Sequence, residues 1–413
     1  MLTTIFNQYK VSETKIIYFF IFLSCFSIAM PTAWMSISTF CLLVFWLISG
    51  RWGDINQLRK SSAVIAALGL LVIYVFSFFY SSAPSSQALN YLMKYLKLLI
   101  IPIIVTSIYS KKIRNYAINI FLISIGITLF LSYAKWLHLI PDFLNLRLID
   151  SPDQGFIVYK NRITQGILMA FAMYMMLCNF YYESSKNKWT WLFLAFLCFF
   201  NLFYLINGRS GQIISLCLIV YFIWDKYGKG SLKPILLCLL LGLAFYPKIL
   251  PFLPERLTTV YTEIKEHDPK NNMTSAGIRI EMYQHALTLI KKSPFFGYGV
   301  GSVETEYEKL VEVDQTLLKK VTNPHNQYLL VLIETGIVGF ILFVSIFYFA
   351  WVGIKNLHVQ ENRKIHDFMK GLIITFALGC LLNSLLLDAG EGKFFCLMIG
   401  LFLSAQFPKA RAR

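Results

Sequence analysis

Residues 323–353 read NPHNQYLLVLIETGIVGFILFVSIFYFAWVG, and this stretch decides the fold class. Polar and turn-forming residues open it, and an apolar block follows that is long enough for a helix to cross about 30 Å of hydrocarbon. His325 therefore lies where a polar segment meets a predicted membrane span. A histidine can exchange a proton near neutral pH, so this position suits proton chemistry at a membrane surface.

The rest of the chain has the composition of an all-α polytopic membrane protein. Hydrophobic residues make up 57% of the 413 positions and charged residues only 15%, whereas about a quarter of a soluble domain is charged. Backbone groups in lipid must bond within their own segment, so the apolar blocks predict helices. About twelve transmembrane helices are predicted, at residues 15–30, 33–49, 62–80, 92–109, 115–137, 163–181, 189–207, 211–227, 232–248, 327–353, 369–387 and 393–408.

Basic residues predict the orientation of these spans. Lysine and arginine concentrate at the N-terminus, in every second loop and in the tail, which the positive-inside rule assigns to the cytoplasm. The segment 248–325 carries ten basic and ten acidic residues and is expected on the outer side. Three regions follow: 1–247 with spans one to nine, 248–326 as a helical outer loop, and 327–413 with spans ten to twelve and a cytoplasmic tail.

Several function classes are not expected from this pattern. The net charge of +16 comes mostly from basic residues in the predicted cytoplasmic segments. These residues are not clustered on one soluble face, so no nucleic-acid partner is expected. The eight cysteines all fall inside predicted spans, which indicates packing and no disulfide framework. No cysteine or histidine spacing resembles a zinc site, so no metal is expected.

The outer loop has an internal pattern of helices and turns. Helices are predicted from Pro254 to about Asp268, from an N-cap at Ser275 to the stop at Ser293-Pro294, and from Val303 to Lys320. The glycines at 297, 299 and 301 indicate a helix stop and a turn; no strand precedes them as a dinucleotide motif would require. Glu304, Glu306 and Glu308 point around a helix, which favours a solvated face over a cation site. The loop is too small to fold alone and is expected to pack on the membrane helices as a lid.

Two arginines on the outer side are candidate phosphate ligands. Arg209 lies in the short turn Asn207-Gly208-Arg209-Ser210-Gly211, and Arg279 lies in the first turn of the loop's middle helix. Guanidinium groups bind phosphate oxygens in pairs, and a helix N-terminus adds amide donors. The alternative is that each arginine anchors at the interface or pairs with a carboxylate such as Glu281. Lys160 and Arg162, at the outer start of the sixth span, offer further donors or interfacial anchors.

His325 has two interpretations as well. As a general base it would take the proton of a sugar hydroxyl that attacks an anomeric carbon. As a structural residue it would cap the helix that begins after Pro324.

The motifs together resemble the O-antigen ligase superfamily. They are Asn-Gly-Arg-Ser-Gly at 207–211, Gly-Ile-Arg-Ile-Glu-Met-Tyr at 277–283, Ser-Pro-Phe-Phe-Gly-Tyr-Gly at 293–299, Asn-Pro-His-Asn-Gln-Tyr-Leu at 323–329 and Glu-Thr-Gly at 334–336. The length of about 400 residues, the twelve spans and a large loop between spans nine and ten resemble the enterobacterial lipopolysaccharide ligases of the WaaL type within that superfamily. The resemblance covers the second half of the chain in its motifs and the first half by topology alone.

The resemblance implies a GT-C-like glycosyltransferase of the bacterial inner membrane, with cytoplasmic termini and a periplasmic site. The donor would be O-antigen polysaccharide on undecaprenyl pyrophosphate, and the acceptor a sugar hydroxyl of lipid A–core. His325 would be the general base, and Arg209 and Arg279 would hold the pyrophosphate. Asn326, Tyr328, Tyr283, Arg162 and Lys160 would be further substrate contacts. Membrane lipids surround the site, and no cofactor or metal is implied because the leaving group is already activated.

Two other functions stay open. A Wzy-type polymerase or an O-oligosaccharyltransferase would use the same donor with a different acceptor. A transporter of lipid-linked glycans is a different class, and it predicts charged residues along a pathway in mid-span, of which the sequence has few.

Overall fold

The computed structural model of the chain describes residues 2–50, 58–141, 155–228, 230, 275–314, 321–355 and 359–407. Within these ranges the chain is helical, and extended backbone pairs at one isolated bridge, between Gly155 and Ile206. The prediction of an all-α polytopic membrane protein is confirmed. The helices are α1 Leu2–Ser27, α2 Thr32–Ile48, α3 Ser62–Phe78, α4 Ser85–Tyr95, α5 Ile100–Ser107, α6 Lys111–Trp136, α7 Arg162–Tyr182, α8 Lys188–Phe200, α9 Arg209–Tyr227, α10 Ser275–Lys292, α11 Val303–Asp314, α12 Gln327–Lys355, α13 Val359–Leu382 and α14 Ala389–Leu403.

Each predicted span overlaps one or two of these helices wherever the chain is described. Among the described residues, six segments are long and apolar enough to cross a membrane: Ser85–Ser107, Lys111–Trp136, Arg162–Tyr182, Lys188–Leu205, Gln327–Gly353 and Asn362–Leu382. Thr14–Ser27, Thr32–Ile48 and Ser62–Phe78 are shorter apolar helices. The ninth predicted span, 232–248, lies outside the described residues, as does the first predicted helix of the outer loop.

Local structure differs from the prediction at three spans. The fourth is not one helix from 92 to 109, because α4 and α5 are joined by a 3₁₀ turn at Leu96–Leu99 and the apolar segment starts earlier, at Ser85. A π-helical turn at Asn201–Leu205 ends the segment that begins with α8. The last span lies earlier than predicted, at Ala389–Leu403, because α13 ends at Leu382 and not at residue 387.

The chain divides into two compact units. Unit 1 contains residues 1–128, 286–306 and 322–413, and unit 2 contains residues 129–285 and 307–321. In unit 1, α12 packs along α3 and against α13, while α14 packs against α5. In unit 2, α7 packs against both α8 and α9. The outer loop, predicted as one region, thus contributes residues to both units.

The segment between α10 and α11 packs on the membrane helices of unit 1. The backbone N–H of Tyr298 donates to the carbonyl of Ile333 at 2.8 Å, and that of Gly299 donates to the carbonyl of Glu334 at 2.9 Å. Gly297, Gly299 and Gly301 all have positive φ, so the predicted turn is confirmed. A Cβ at Gly299 would lie 2.7 Å from the carbonyl oxygen of Ser77, which is why a glycine is needed there.

Candidate active site

In unit 1, His325 lies in a tight turn immediately before α12. Its φ of 49° is in the left-handed region, which few residues other than glycine adopt. The backbone N–H of His325 donates to Oδ1 of Asn323 at 2.8 Å, and the hydroxyl of Ser384 donates to the same oxygen at 3.2 Å. The turn that contains His325 is therefore held by one hydrogen bond within the turn and by another from the connection between α13 and α14.

The helix cap next to His325 is supplied by Asn326. Its Oδ1 accepts from the backbone N–H groups of Tyr328 and Leu329 at 3.0 and 3.2 Å, which is the geometry of an N-cap. The structural interpretation that gave the cap to His325 is therefore wrong. The Asn326 amide also donates to the carbonyl of Leu381 at 3.2 Å. His325 is half-buried, so its side chain is partly accessible.

The residues that follow His325 connect α12 to its neighbours. Gln327 is fully buried, and its Oε1 accepts from the backbone N–H groups of Leu386 and Leu387 at 2.8 and 3.1 Å. The hydroxyl of Tyr328 donates to the carbonyl of Ala377 at 3.0 Å. The polar atoms of Asn326 and Tyr328 thus have structural partners, and their suggested role as substrate contacts stays a prediction.

Glu334 belongs to the Glu-Thr-Gly motif at 334–336, and the sequence alone indicated no role for it. Its side chain is 0% exposed on α12. One carboxylate oxygen accepts from the backbone N–H of Gly301 at 2.7 Å, and the other accepts from the hydroxyl of Tyr95 at 2.7 Å. The Tyr95 ring is stacked on Tyr74 with ring centroids 3.7 Å apart. Glu334, on α12, therefore joins this helix to the outer-loop turn and to α4.

A second buried polar cluster lies at the start of α14. Nζ of Lys97 donates to the carbonyl oxygens of Leu387 and Asp388 at 3.0 and 2.6 Å. Asp388 precedes α14 and lies near Glu391. Burial, and then the charge of Glu391, raises the pKa of the Asp388 carboxyl to about 7. Lys97 lies next to a run of apolar residues, and this feature of the sequence could have indicated the cluster.

In unit 2, Arg162 and Arg209 each occupy the first residue of a helix. Arg162 begins α7, and the Oδ1 of Asn161 caps it by accepting from the N–H groups of Ile163 and Thr164 at 3.0 and 2.8 Å. Arg209 is the first residue of α9 and follows Gly208, whereas the sequence predicted Arg209 in the turn before the helix. Both arginine side chains are half-buried.

These two helix starts are neighbours because glycines let the backbones touch. A Cβ at Gly208 would lie 2.9 Å from the carbonyl oxygen of Arg162, and one at Gly211 would lie 2.7 Å from Cα of Gly166. Close packing on small residues is common between membrane helices. The positive dipole ends of α7 and α9 therefore lie close together, and each helix start carries an arginine.

Lys160 belongs to the same region of unit 2. Its side chain is 4% exposed, so the expected role as an interfacial anchor does not describe its surroundings. The segment before it is held to the turn after α8, because the N–H of Phe156 donates to the carbonyl of Leu205 at 2.7 Å. The N–H of Val158 also donates to the side chain of Gln165 on α7 at 2.9 Å. Lys160, Arg162 and Arg209 thus lie on segments that pack together.

Arg279 and Tyr283 lie on α10, which begins at Ser275 and ends at Lys292 as predicted. Arg279 is exposed and Tyr283 is half-buried. Glu281, which the sequence offered as a partner for an arginine, is buried on the same helix. On α11, Glu306 is buried and Glu308 exposed, so the acidic run does not form one solvated face. The described residues contain no group of three side chains suited to a metal ion.

Part of the sequence matches known proteins. A family model described as O-antigen ligase matches residues 193–344, a range that includes Arg209, Arg279 and His325. An uncharacterized protein of Haemophilus influenzae is 32% identical over 172 residues, covering 38% of this chain and 41% of that protein. The chain therefore spans less than half the length of this relative.

Proposed function

We propose that the protein is an O-antigen ligase of the O-antigen ligase/polymerase superfamily, and the match of residues 193–344 to the family model described as O-antigen ligase supports this proposal. In this proposal it transfers O-antigen polysaccharide from undecaprenyl pyrophosphate to a sugar hydroxyl of lipid A–core. The reaction takes place in the periplasmic leaflet of the bacterial inner membrane, and its product is complete lipopolysaccharide.

The paired helix starts at Arg162 and Arg209 are the observation that supports this function best. A diphosphate needs hydrogen-bond donors and positive charge at one place; the guanidinium groups offer the donors, and the positive dipole ends of the two helices add to the favourable charge. Charge grows on the diphosphate as it leaves, so donors fixed at that position stabilise the transition state more than the bound substrate. The close contact between Gly166 and Gly211 keeps these donors together.

His325 is the proposed general base. The acceptor oxygen attacks the anomeric carbon while its proton passes to the imidazole, and the bond from that carbon to the diphosphate oxygen breaks. The bonding electrons leave with the diphosphate. A single displacement of this kind inverts the anomeric configuration. The diphosphate is already a good leaving group, so the proposed step uses no cofactor.

Arg279 is proposed as a further arginine of the donor site. Its exposure on α10 leaves the guanidinium accessible to a charged ligand. An arginine offers a fork of donors that a lysine cannot copy, so this position is expected to require arginine when it binds phosphate oxygens.

A reconstituted reaction tests the proposed function. The full chain in vesicles, with lipid-linked O-antigen and a lipopolysaccharide that lacks it, is expected to yield lipopolysaccharide carrying the polymer. In a deletion strain, bare core and polymer still on its lipid carrier are expected. Core bearing one repeat unit would instead indicate a polymerase, and normal lipopolysaccharide would contradict both functions.

A further inference from the structure

Lys97 is a basic side chain buried near the middle of the apolar segment Ser85–Ser107, with 6% of its surface exposed. Ionisable residues inside a membrane segment are costly, so they are retained mainly where they serve a function. We propose that Lys97 is a positioning residue for His325, on which it acts through the connection between α13 and α14, residues 383–388. The inference rests on the proposed glycosyl transfer and adds a residue that fixes the place of its general base.

Hydrogen bonds attach Lys97 to the end of this connection. Lys97 lies in the 3₁₀ turn Leu96–Leu99, between α4 and α5. Its Nζ donates to the carbonyl oxygens of Leu387 and Asp388 at 3.0 and 2.6 Å. The carboxyl groups of Asp388 and Glu391 lie near the ammonium group and offset the cost of burying its charge. The last two residues of the connection are therefore fixed by the lysine.

The same connection is bonded to α12 just after His325. Oε1 of Gln327 accepts from the backbone N–H groups of Leu386 and Leu387 at 2.8 and 3.1 Å. Leu387 thus bonds to Lys97 through its carbonyl oxygen and to Gln327 through its N–H. One peptide segment therefore joins the ammonium group to the residue two positions after the histidine.

A second bond joins the connection to the chain just before His325. The hydroxyl of Ser384 donates to Oδ1 of Asn323 at 3.2 Å, and the backbone N–H of His325 donates to that same oxygen at 2.8 Å. Asn323 and Gln327 lie two residues to either side of the histidine. A displacement of the connection would therefore disturb the histidine turn from both sides.

The packing around these bonds leaves little freedom. A Cβ at Gly392 would lie 2.7 Å from Cδ of Lys97 and 2.8 Å from the carbonyl oxygen of Leu386, so α14 approaches both closely. Gln327 is 0% exposed, and its Nε2 has no hydrogen-bond partner among the described residues. An unpaired buried amide is unfavourable for stability. This indicates that the position is used for its acceptor oxygen and not for packing alone.

A general base requires this kind of support. His325 must lie within hydrogen-bond reach of the attacking hydroxyl, and a misplacement of about 1 Å can slow a reaction by about 10²-fold. Lys97 acts on the histidine through the connection and is not proposed to touch either substrate. Its loss should therefore lower kcat and leave the KM values unchanged.

Breaking the link at each end tests the proposal. Lys97→Met removes the donors of Nζ, and Gln327→Met removes the acceptor of Leu386 and Leu387. In the reconstituted reaction each variant is expected to lower kcat by about 10- to 100-fold, with the KM of donor and acceptor unchanged. The double variant should lose no more than the more impaired single variant, because both changes act through Leu387.

Lys112→Met is the matched control for these kinetics. It makes the same substitution at an exposed position of unit 1 and should keep the wild-type kcat and KM. A raised KM with the wild-type kcat in the Lys97 and Gln327 variants would overturn the proposal. Fully additive losses in the double variant would overturn it as well.

Chemical modification of His325 gives a readout that does not depend on transfer. Diethyl pyrocarbonate acylates imidazole nitrogen, and mass spectrometry follows the rate at His325, with the exposed His138 as internal reference. In folded Lys97→Met and Gln327→Met, His325 is expected to react faster than in the wild type, because its turn has lost a support. The rate at His138 should not change.

The modification rates also separate this inference from the proposed function. Gln327→Met carries the test alone when Lys97→Met does not fold. An unchanged rate at His325 in the folded variants would overturn the proposal. Faster modification of His325 by the variants of a protein that transfers no glycan would support the positioning contact and count against the proposed function instead.

Discussion

The carboxylate of Glu334 accepts a hydrogen bond of 2.7 Å from the backbone N–H of Gly301, although the two residues belong to different segments of unit 1. Glu334 lies on the helix that follows His325, and Gly301 lies in the turn that follows the helix carrying Arg279. One buried side chain therefore fixes the end of the outer-loop segment against the membrane helix next to the proposed base.

Replacing Glu334 should destabilise the protein. Glu334→Ala leaves the N–H of Gly301 and the hydroxyl of Tyr95 without their acceptor, and each buried unsatisfied group costs about 1–3 kcal/mol. Glu334→Gln keeps one acceptor oxygen and should lose less. The measurement is thermal unfolding of the purified protein in detergent. Glu308→Ala, at an exposed position of α11, is the control. An unchanged unfolding temperature in Glu334→Ala would show that these contacts do not hold the turn.

Separating the two helix starts should impair the proposed donor site. In Gly211→Ala the new Cβ lies 2.7 Å from Cα of Gly166, so α7 and α9 must move apart. Overpacking of this kind costs about 1–3 kcal/mol. Thermal unfolding and the KM for the lipid-linked donor should both show the change. Gly126→Ala is the control, because a Cβ there meets nothing within 4 Å. Wild-type values in the Gly211 variant would refute the role of this contact.

Arg209 should tolerate no conservative replacement. Arg209→Lys keeps the charge but loses the fork of donors that binds two phosphate oxygens. Transfer is therefore expected to fall strongly in Arg209→Lys and almost to disappear in Arg209→Ala, with the protein still in the membrane. Lys186→Ala, at an exposed position between α7 and α8, should retain wild-type activity. Full activity in both arginine variants would remove Arg209 from the proposed site.

Much of this architecture was predictable from local sequence. The neighbouring starts of α7 and α9 show what local sequence could not predict. An apolar block after Asn161 is enough to place the beginning of α7, and the polar turn before Gly211 nearly places that of α9. The contact of Gly166 with Gly211 joins positions far apart in the chain, and no periodicity indicates it. The cap at Asn326 was missed for a different reason, since several neighbouring polar side chains could all have made it. Glu334 was visible as a lone acid in an apolar run, but its partners lie on distant segments.

Asp388, in the connection before α14, is expected to make the stability of the protein depend on pH. Burial raises the pKa of Asp388 to about 7, well above the ordinary value of about 3.9. Between these values the folded state binds more protons than the unfolded state, so stability should fall as the pH rises through this window. Asp388→Asn should flatten the change in unfolding temperature between pH 4.5 and pH 8. The same slope in the variant would assign the dependence to another group.

The His325→Asn variant in the reconstituted transfer reaction tests the central claim most directly. Asparagine adopts left-handed backbone conformations more readily than most residues, so the turn and the unfolding temperature should be preserved while the base is lost. The account predicts that the wild-type protein transfers the glycan, with EDTA present, and that the variant is slower by about 10²–10⁴-fold. Transfer at the wild-type rate by a folded His325→Asn protein would contradict it.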